Sequence, residues 1–372
     1  MEEFVSPDYD SKPLTILSVA YPLAPVGPDA VGGAEQVLSR LDEALVRMGH
    51  RSVVIACEGS VTQGTLLATS RAHGRLDDRA RKMAWEQHRR AIREALERWP
   101  IDVVHLHGVD FLEYLPSTGV PTLATLHLPP HWYPQEIFHL TRPSTYLHCV
   151  SATQRKGCPS CDYLLPEIGN GVPADLFQAR HAKRGYAISL GRICPEKGFH
   201  LGFDAATQAG VPLVLAGEVF GYETHEHYFR TEILPRVKAS HRFIGPVGWN
   251  RKRRLLCAAQ CLLAPSLVAE TSSLVAMEAL ACGTPVVAFP SGALAEIVEH
   301  GKTGFLVHNA QEMAAAIRHC ETIEPETCRT AARQRFDVRR MTEKYFEVYR
   351  LLTDSSFRNT MVKGVEWEPF SK

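Results

Sequence analysis

The sequence predicts an α/β protein built of two domains, and three observations lead there. The chain is 372 residues long, too long for one ordinary core at ~150 residues per domain. Apolar strands followed by glycine- or proline-bearing loops and helices recur through both halves. Between the halves lies Gly169-Asn170-Gly171-Val172-Pro173, a run that suits a hinge or linker. The expected division is a disordered tail over residues 1–13, a first domain over 14–170, a second over 171–345, and a final helix and tail over 346–372.

Leu14 to Ala20 (LTILSVA) reads as a first buried strand, and Tyr21 to Val31 as a loop leading to Gly32-Gly33. The helix that follows carries Val37, Leu38, Leu41, Ala44, Leu45 and Met48 on one stripe and stops at Gly49. Val53 to Ala56 is the next strand. Strand, glycine pair, helix, strand is the opening of a nucleotide domain, because glycines let a ligand approach the free amides of a helix start. Residues 75–99 form a long charged helix whose interleaved acids and bases suit a solvated face.

Two strands then end in histidine: Ile101 to Leu106 before His107, and Val120 to Leu126 before His127. Parallel strands hand over to their loops at such points, where open α/β sheets bind ligands; a hydrogen-bonded structural histidine is the alternative. Leu147 to Ser151, a short helix over Ala152 to Lys156, and an extended Tyr163 to Ile168 complete the half. The aromatic stretch HWYPQEIFHL (His131 to Leu140) either stacks on a ring acceptor or packs as a lid.

In the second half, strands are expected at Tyr186 to Leu190, Val211 to Ala216 and Arg242 to Gly245, with helices at Phe199 to Gln208 and Trp249 to Gln260. The basic run Arg251 to Arg254 on the last helix reads as a solvated face or a phosphate contact. Arg192 and Lys197 lie in a strand-to-helix loop, where two cations can converge on a diphosphate; a Glu196–Lys197 surface pair is the plainer reading.

The run from Ala264 to Ala288 is a strand–loop–helix–strand unit. Its helix, Ser273 to Cys282, is apolar on every face but for Glu278, so that carboxyl is either protonated or paired outside the helix. Glu270 lies in the loop that feeds the helix, and Thr271, Ser272 and Ser273 each suit its N-cap. Free amides and flanking carboxylates suit a ligand with both an anionic part and hydroxyls; a capped helix with a solvated Glu270 is the alternative. A helix over Gly292 to Glu299, a turn and strand through Gly304, and helices over Ala310 to Cys320, Glu326 to Arg335 and Arg340 to Leu352 close the chain.

Composition narrows the partners. The chain is 45% hydrophobic and 22% charged, with 41 residues of each sign and no net charge, so no global field draws in nucleic acid or an anionic membrane. No apolar run approaches the ~18 residues of a membrane span, and the acidic start MEEFVSPDYDSKP has no apolar signal core. A cytoplasmic protein without transmembrane segment is expected. Most of the ten cysteines fall in apolar segments, and Cys158-Pro159-Ser160-Cys161 has no second metal-ligand pair. It reads as a plain loop.

Glu270, seven residues, Glu278, then ALACGTPVVA resembles the signature of the retaining glycosyltransferases of family 4. GGAEQVLSRLDEAL, the DVVHLH and TLHLPP strand ends, IGNGVPADLF and the GRxxPEKG loop resemble that family too, in its order. The resemblance spans residues ~14 to ~350 and implies the GT-B fold: two Rossmann-like domains with parallel sheets facing a cleft, the last helix crossing back to the first domain. It implies that Arg192 and Lys197 neutralise the diphosphate leaving group, that Glu278 binds ribose hydroxyls and that Glu270 holds the transferred sugar. The backbone of Ser272, Ser273 and Leu274 and the Gly32-Gly33 loop would add amides to the phosphates, and His127 would face the sugar from the acceptor side. Where the family often has Phe-Gly after the first glutamate, Thr271-Ser272-Ser273-Leu274 stands here, which alters the shape around the sugar.

The implied activity is hexosyl transfer from a nucleotide sugar, UDP-glucose or UDP-N-acetylglucosamine, to an unidentified hydroxyl acceptor, possibly small and soluble, without cofactor. Two cations and a helix N-terminus offset the cost of the charge separation, so no metal is required. The one Asp-x-Asp, Asp8-Tyr9-Asp10, falls in the tail. A nicotinamide oxidoreductase is excluded by the lack of a GxGxxG with its acidic partner. Epimerases or phosphorylases of the same fold, and a protein that only binds nucleotide sugar, are the alternatives.

Overall fold

The computed structural model describes residues 12–72, 77–117, 119–177, 181–238 and 240–354. Most of the expected tail, Asp8-Tyr9-Asp10 with it, the first two positions of the charged helix (75 and 76) and the chain end from 355 lie outside the described residues.

The first half runs β1 (Thr15–Val19), α1 (Gly33–Arg47), β2 (Arg51–Cys57), β3 (Thr65–Thr69), α2 (Asp78–Arg98), β4 (Val103–Leu106), β5 (Thr122–Leu126), β6 (Thr145–Cys149) and α3 (Ala152–Lys156). The second runs β7 (Ala187–Leu190), α4 (Phe199–Ala209), β8 (Leu213–Ala216), α5 (Glu223–Tyr228), β9 (Arg242–Phe243), α6 (Trp249–Ala258), β10 (Cys261–Ala264), α7 (Leu274–Ala281), β11 (Val286–Ala288), α8 (Leu294–Ile297), β12 (Gly304–Leu306), α9 (Ala310–His319), α10 (Pro325–Arg335) and α11 (Val338–Thr353).

Each half holds one six-stranded sheet, in the order β3-β2-β1-β4-β5-β6 and β12-β11-β10-β7-β8-β9, and every strand pair in both is parallel. The strand order reverses between β1 and β4 in one sheet and between β7 and β10 in the other. Loops leaving the carboxyl ends of those strands part to opposite faces and open a crevice. The glycine pair follows β1 and His107 follows β4; Arg192 and Lys197 follow β7 and Glu270 follows β10. The topology alone therefore brings the candidate residues to two facing crevices.

Amphipathic helices cover both faces of each sheet. The stripe on α1 buries Val37, Leu41 and Leu45 against Ile16, Val103 and Leu123 of the first sheet, at about 1.5–3 kcal/mol for each large side chain. The same cluster includes Met341, Tyr345, Phe346, Tyr349 and Leu352 of α11. The last helix thus packs on the first half, and a boundary at 345 falls inside it. The chain crosses between halves at two adjacent points: Val172 N donates to Phe336 O (2.8 Å) and Val338 N to Val172 O (2.9 Å).

Two elements escaped the sequence reading: the edge strand β3 and the short polar helix α5. HWYPQEIFHL resolves between its alternatives in part. Tyr133, Ile137 and Phe138 are buried in the core of the first sheet, and Trp132 is 44% exposed. The charged helix is tied by surface pairs such as Arg89–Glu86 and Arg90–Glu86, as its interleaved charges anticipate. Cys158 and Cys161 pack beside the same core, with Cys158 Sγ 3.4 Å from Cys149 Sγ.

A polar chain runs through the first sheet to α11. His105 meets Tyr349 Oη and Thr125 Oγ1, each at 2.7 Å, and Thr125 Oγ1 meets His148 Nε2 at 2.7 Å. Burial holds the imidazoles of His105 and His107 well below their ordinary pKa and brings His127 to about 3 and His148 to about 4. They are neutral in the fold and take up protons below about pH 6.5 once unfolded. The unfolded state then binds more protons, so stability is full above that pH and is lost as pH falls toward the folded values. Each histidine contributes up to roughly 1.4 kcal/mol per pH unit in that window. Thermal melts at about pH 7.5, 6.5 and 5 should show little change over the first interval and a steep fall over the second; a flat profile would show these histidines to be solvated.

Candidate active site

Gly198 is where the second crevice is drawn together. It sits at φ +62°, and a Cβ there would lie 2.2 Å from the Pro265 carbonyl. The Arg192–Lys197 loop is thereby pressed against the loop after β10, and Leu267 N donates to Glu196 O at 2.8 Å. Lys197 Nζ consequently reaches Glu270 Oε1 at 2.6 Å, and Ser266 Oγ donates to the same oxygen at 2.6 Å. The Glu270 side chain is only 12% exposed, so its charge rests on these two contacts. This replaces the Glu196–Lys197 pair as the lysine's partner.

Gly292 fixes the backbone of Glu270. It has φ +62°, and a Cβ would stand 2.3 Å from Glu270 O and 2.7 Å from Glu270 N. Ala293 N donates to that same carbonyl at 2.8 Å. Gly292→Ala has to displace Glu270 or unwind the turn, so it should destabilise the chain by about 1–3 kcal/mol and disturb donor binding. Melting temperature and donor affinity would fall together; wild-type values for both would mean that Glu270 is not held by this contact.

Glu278 is 3% exposed on α7. Its partner lies outside the helix, as the apolar surroundings require: Lys252 of α6 stands 2.5 Å from Oε1. One member of the basic run Arg251 to Arg254 therefore faces inward, not to solvent. Lys252 Nζ also lies 5.4 Å from the Trp249 ring centre, which limits its swing. Lys252 and Ser266, which meet the two glutamates, are among the site residues that sequence reasoning missed.

The start of α7 has polar groups without a partner among the described residues. Ser273 is its N-cap, yet its hydroxyl makes no capping bond. The amides of Ala276 and Met277 both bond to Ser273 O, which leaves those of Leu274 and Val275 without an internal acceptor among the described residues. Ser272 Oγ is buried with no partner. Thr271, the third expected cap, instead donates to the His127 carbonyl of the first half at 2.7 Å.

The first half closes over this site. A Cβ on Gly33 would lie 3.5 Å from Leu274 Cδ1, so the Gly32-Gly33 turn stands directly against the α7 start. Burial raises the carboxyl pKa of Glu35 in the first turn of α1, and the Arg192 charge acts against that rise across the cleft. His127 lies at the end of β5, buried, its Nε2 3.0 Å from Nδ1 of His107, with the rings stacked 5.3 Å apart. Neutral near pH 7, His127 can orient a group by hydrogen bonding and holds no proton to give as an imidazolium. Further ties are Trp249 N to Asp29 Oδ1 at 2.6 Å, and Thr153 N to Glu296 Oε1 at 2.5 Å. Of the residues expected at the site, Lys197 meets Glu270, Gly33 stands against Leu274, and His127 is tied through its carbonyl to Thr271.

Known proteins resemble the chain over both halves. The family model described as Glycosyltransferase Family 4 matches residues 31–165, and that described as Glycosyl transferases group 1 matches 174–335. A glycogen synthase of Mycobacterium tuberculosis is 27% identical over 363 residues, covering 82% of this chain and 85% of that protein. The structure of AviGT4, a glycosyltransferase involved in avilamycin A biosynthesis, superposes with a TM-score of 0.69 at 25% identity, over 92% of this chain and 98% of that one. Anabaena Alr3699/HepE in complex with UDP-glucose shares the fold, with a TM-score of 0.71 at 20% identity over 91% and 99% of the two chains.

Proposed function

Because the chain belongs to the family 4 glycosyltransferases and has their GT-B fold, we propose that it transfers a hexose from UDP-glucose or UDP-N-acetylglucosamine to a hydroxyl acceptor, with retention and without a catalytic metal. The observation that carries this reading is the convergence at one switch point of Lys197, Glu270, Glu278 and the unpartnered amides of Leu274 and Val275. A cation pair and a helix start suit a diphosphate; two buried carboxylates beside them suit the hydroxyls of ribose and sugar.

The difficult part of the reaction is charge separation, as the bond from the anomeric carbon to the phosphate oxygen breaks. Arg192 and Lys197 stabilise the departing diphosphate, aided by the α7 amides and the Gly33 turn, and Glu270 holds the sugar. The acceptor oxygen bonds to the anomeric carbon on the face the diphosphate leaves, and its proton passes to a phosphate oxygen. No side chain is assigned as general base. Glu278 holds the ribose, with Lys252 fixing its carboxylate, and His127 orients the sugar from the acceptor side as a neutral imidazole.

A nucleotide-release assay with UDP-glucose, UDP-N-acetylglucosamine, UDP-galactose and GDP-mannose, run in EDTA, tests this. Slow release from one UDP-sugar that EDTA leaves unchanged is the expected result. Release that EDTA abolishes and added magnesium or manganese restores would overturn metal independence, and release from none would overturn the donor assignment.

A further inference from the structure

A second chemistry lies behind the phosphate loop. Cys194, Glu196 and His225 present one thiol sulfur, one carboxylate oxygen and one imidazole nitrogen within 4.8 Å of one another. Cys194 and Glu196 belong to the loop after β7, and His225 comes from α5, twenty-nine positions after Glu196, so no spacing motif announces the set. Cys194 is 3% exposed. His225 Nδ1 is buried with no hydrogen-bond partner, and its ring is held edge-on against Tyr222 at 5.1 Å and Phe220 at 6.5 Å. The Glu196 carboxylate enters no ion pair among the described residues; its backbone carbonyl is the part that the neighbouring loop uses.

We propose that Cys194, Glu196 and His225 form a three-ligand zinc site that ties the Arg192–Lys197 loop to α5. Thiolate, imidazole and carboxylate are the ligands zinc takes, whereas magnesium and calcium call for oxygen alone. Ligand atoms around a tetrahedral zinc stand about 3.5 Å apart, given bonds of 2.0–2.3 Å, so side-chain rotations of about 1 Å close the set. Thiolate and carboxylate together neutralise the ion. Arg192 and Lys197, the cations whose charge acts on Cys194, oppose binding, and the Glu196 carboxylate acts against them. The fourth position stays open to water. This site is separate from the transfer chemistry, since neither Lys197, Glu270 nor Glu278 is a ligand.

Zinc competition between the full-length, tag-free chain and a chromogenic chelator tests the site, with cobalt as a spectroscopic substitute. One zinc per chain is expected, weakened at least about tenfold by His225→Gln and by Cys194→Ser. Zinc should also raise the melting temperature of the wild type and not that of His225→Gln, the rise in each protein being read against its own metal-free form so that lost ring packing cancels. The cobalt form should show a thiolate charge-transfer band that Cys194→Ser removes and Cys158→Ser with Cys161→Ser retains. Zinc affinity equal in wild type and His225→Gln, or a cobalt band that follows Cys158 and Cys161, would overturn the proposal.

Discussion

Lys197→Ala is expected to lower donor turnover by roughly 10²–10³-fold, the loss that follows removal of one preorganised group at a developing anion. The lysine is held at the mouth of the α7 crevice by a 2.6 Å contact to Glu270. On donor binding it would exchange part of that contact for a phosphate oxygen, where charge grows as the sugar departs. The loss should therefore fall mainly on kcat. Lys197→Arg keeps the charge but not the compact point contact, and should recover only part of the rate. Glu270→Gln removes the counter-charge and weakens sugar binding. Because the two side chains touch, the double variant should lose less than the sum of the single losses. Nucleotide release by the wild type and these four variants measures this; a kcat within threefold of wild type in Lys197→Ala would remove the lysine from the chemistry.

The second large effect concerns Glu278 and Lys252, whose side chains are 4% and 14% exposed. Removing either partner alone leaves a buried charge uncompensated, and about 3–5 kcal/mol of stability should be lost. Replacing both together by apolar residues of similar volume, Lys252→Met with Glu278→Leu, should restore most of that stability, because desolvation of the pair offsets much of its attraction. If Glu278 also binds the donor ribose, this stable double variant still fails to bind nucleotide. Denaturant melts follow the first property and nucleotide binding the second. A double variant that melts near wild type and binds as wild type would make the pair a purely structural feature.

The reasons some of this was legible in the chain, and some not, are physical. Arg192, Lys197, Glu270 and His127 all sit where a strand ends, and apolar runs locate strand ends well. Glu278 was conspicuous because nothing within its own helix can meet its charge. Lys252 was not, since four basic residues in a row read as a solvated surface and periodicity does not say which one turns inward. Strand β3 is a short edge with only Thr69 of its five residues buried. Helix α5, ETHEHY, has no apolar stripe to mark it. Aromatic content likewise did not separate the core residues Tyr133 and Phe138 from the exposed Trp132.

Calorimetric titration of UDP into the wild type and into the Lys252→Met, Glu278→Leu variant tests the central claim most directly, that the donor nucleotide is held in the α7 crevice. One UDP per chain should bind the wild type, and affinity should fall at least about tenfold in a variant that retains its fold, as loss of a charged hydrogen-bonding partner implies. Equal UDP affinity in the two proteins would place the nucleotide elsewhere and contradict the account.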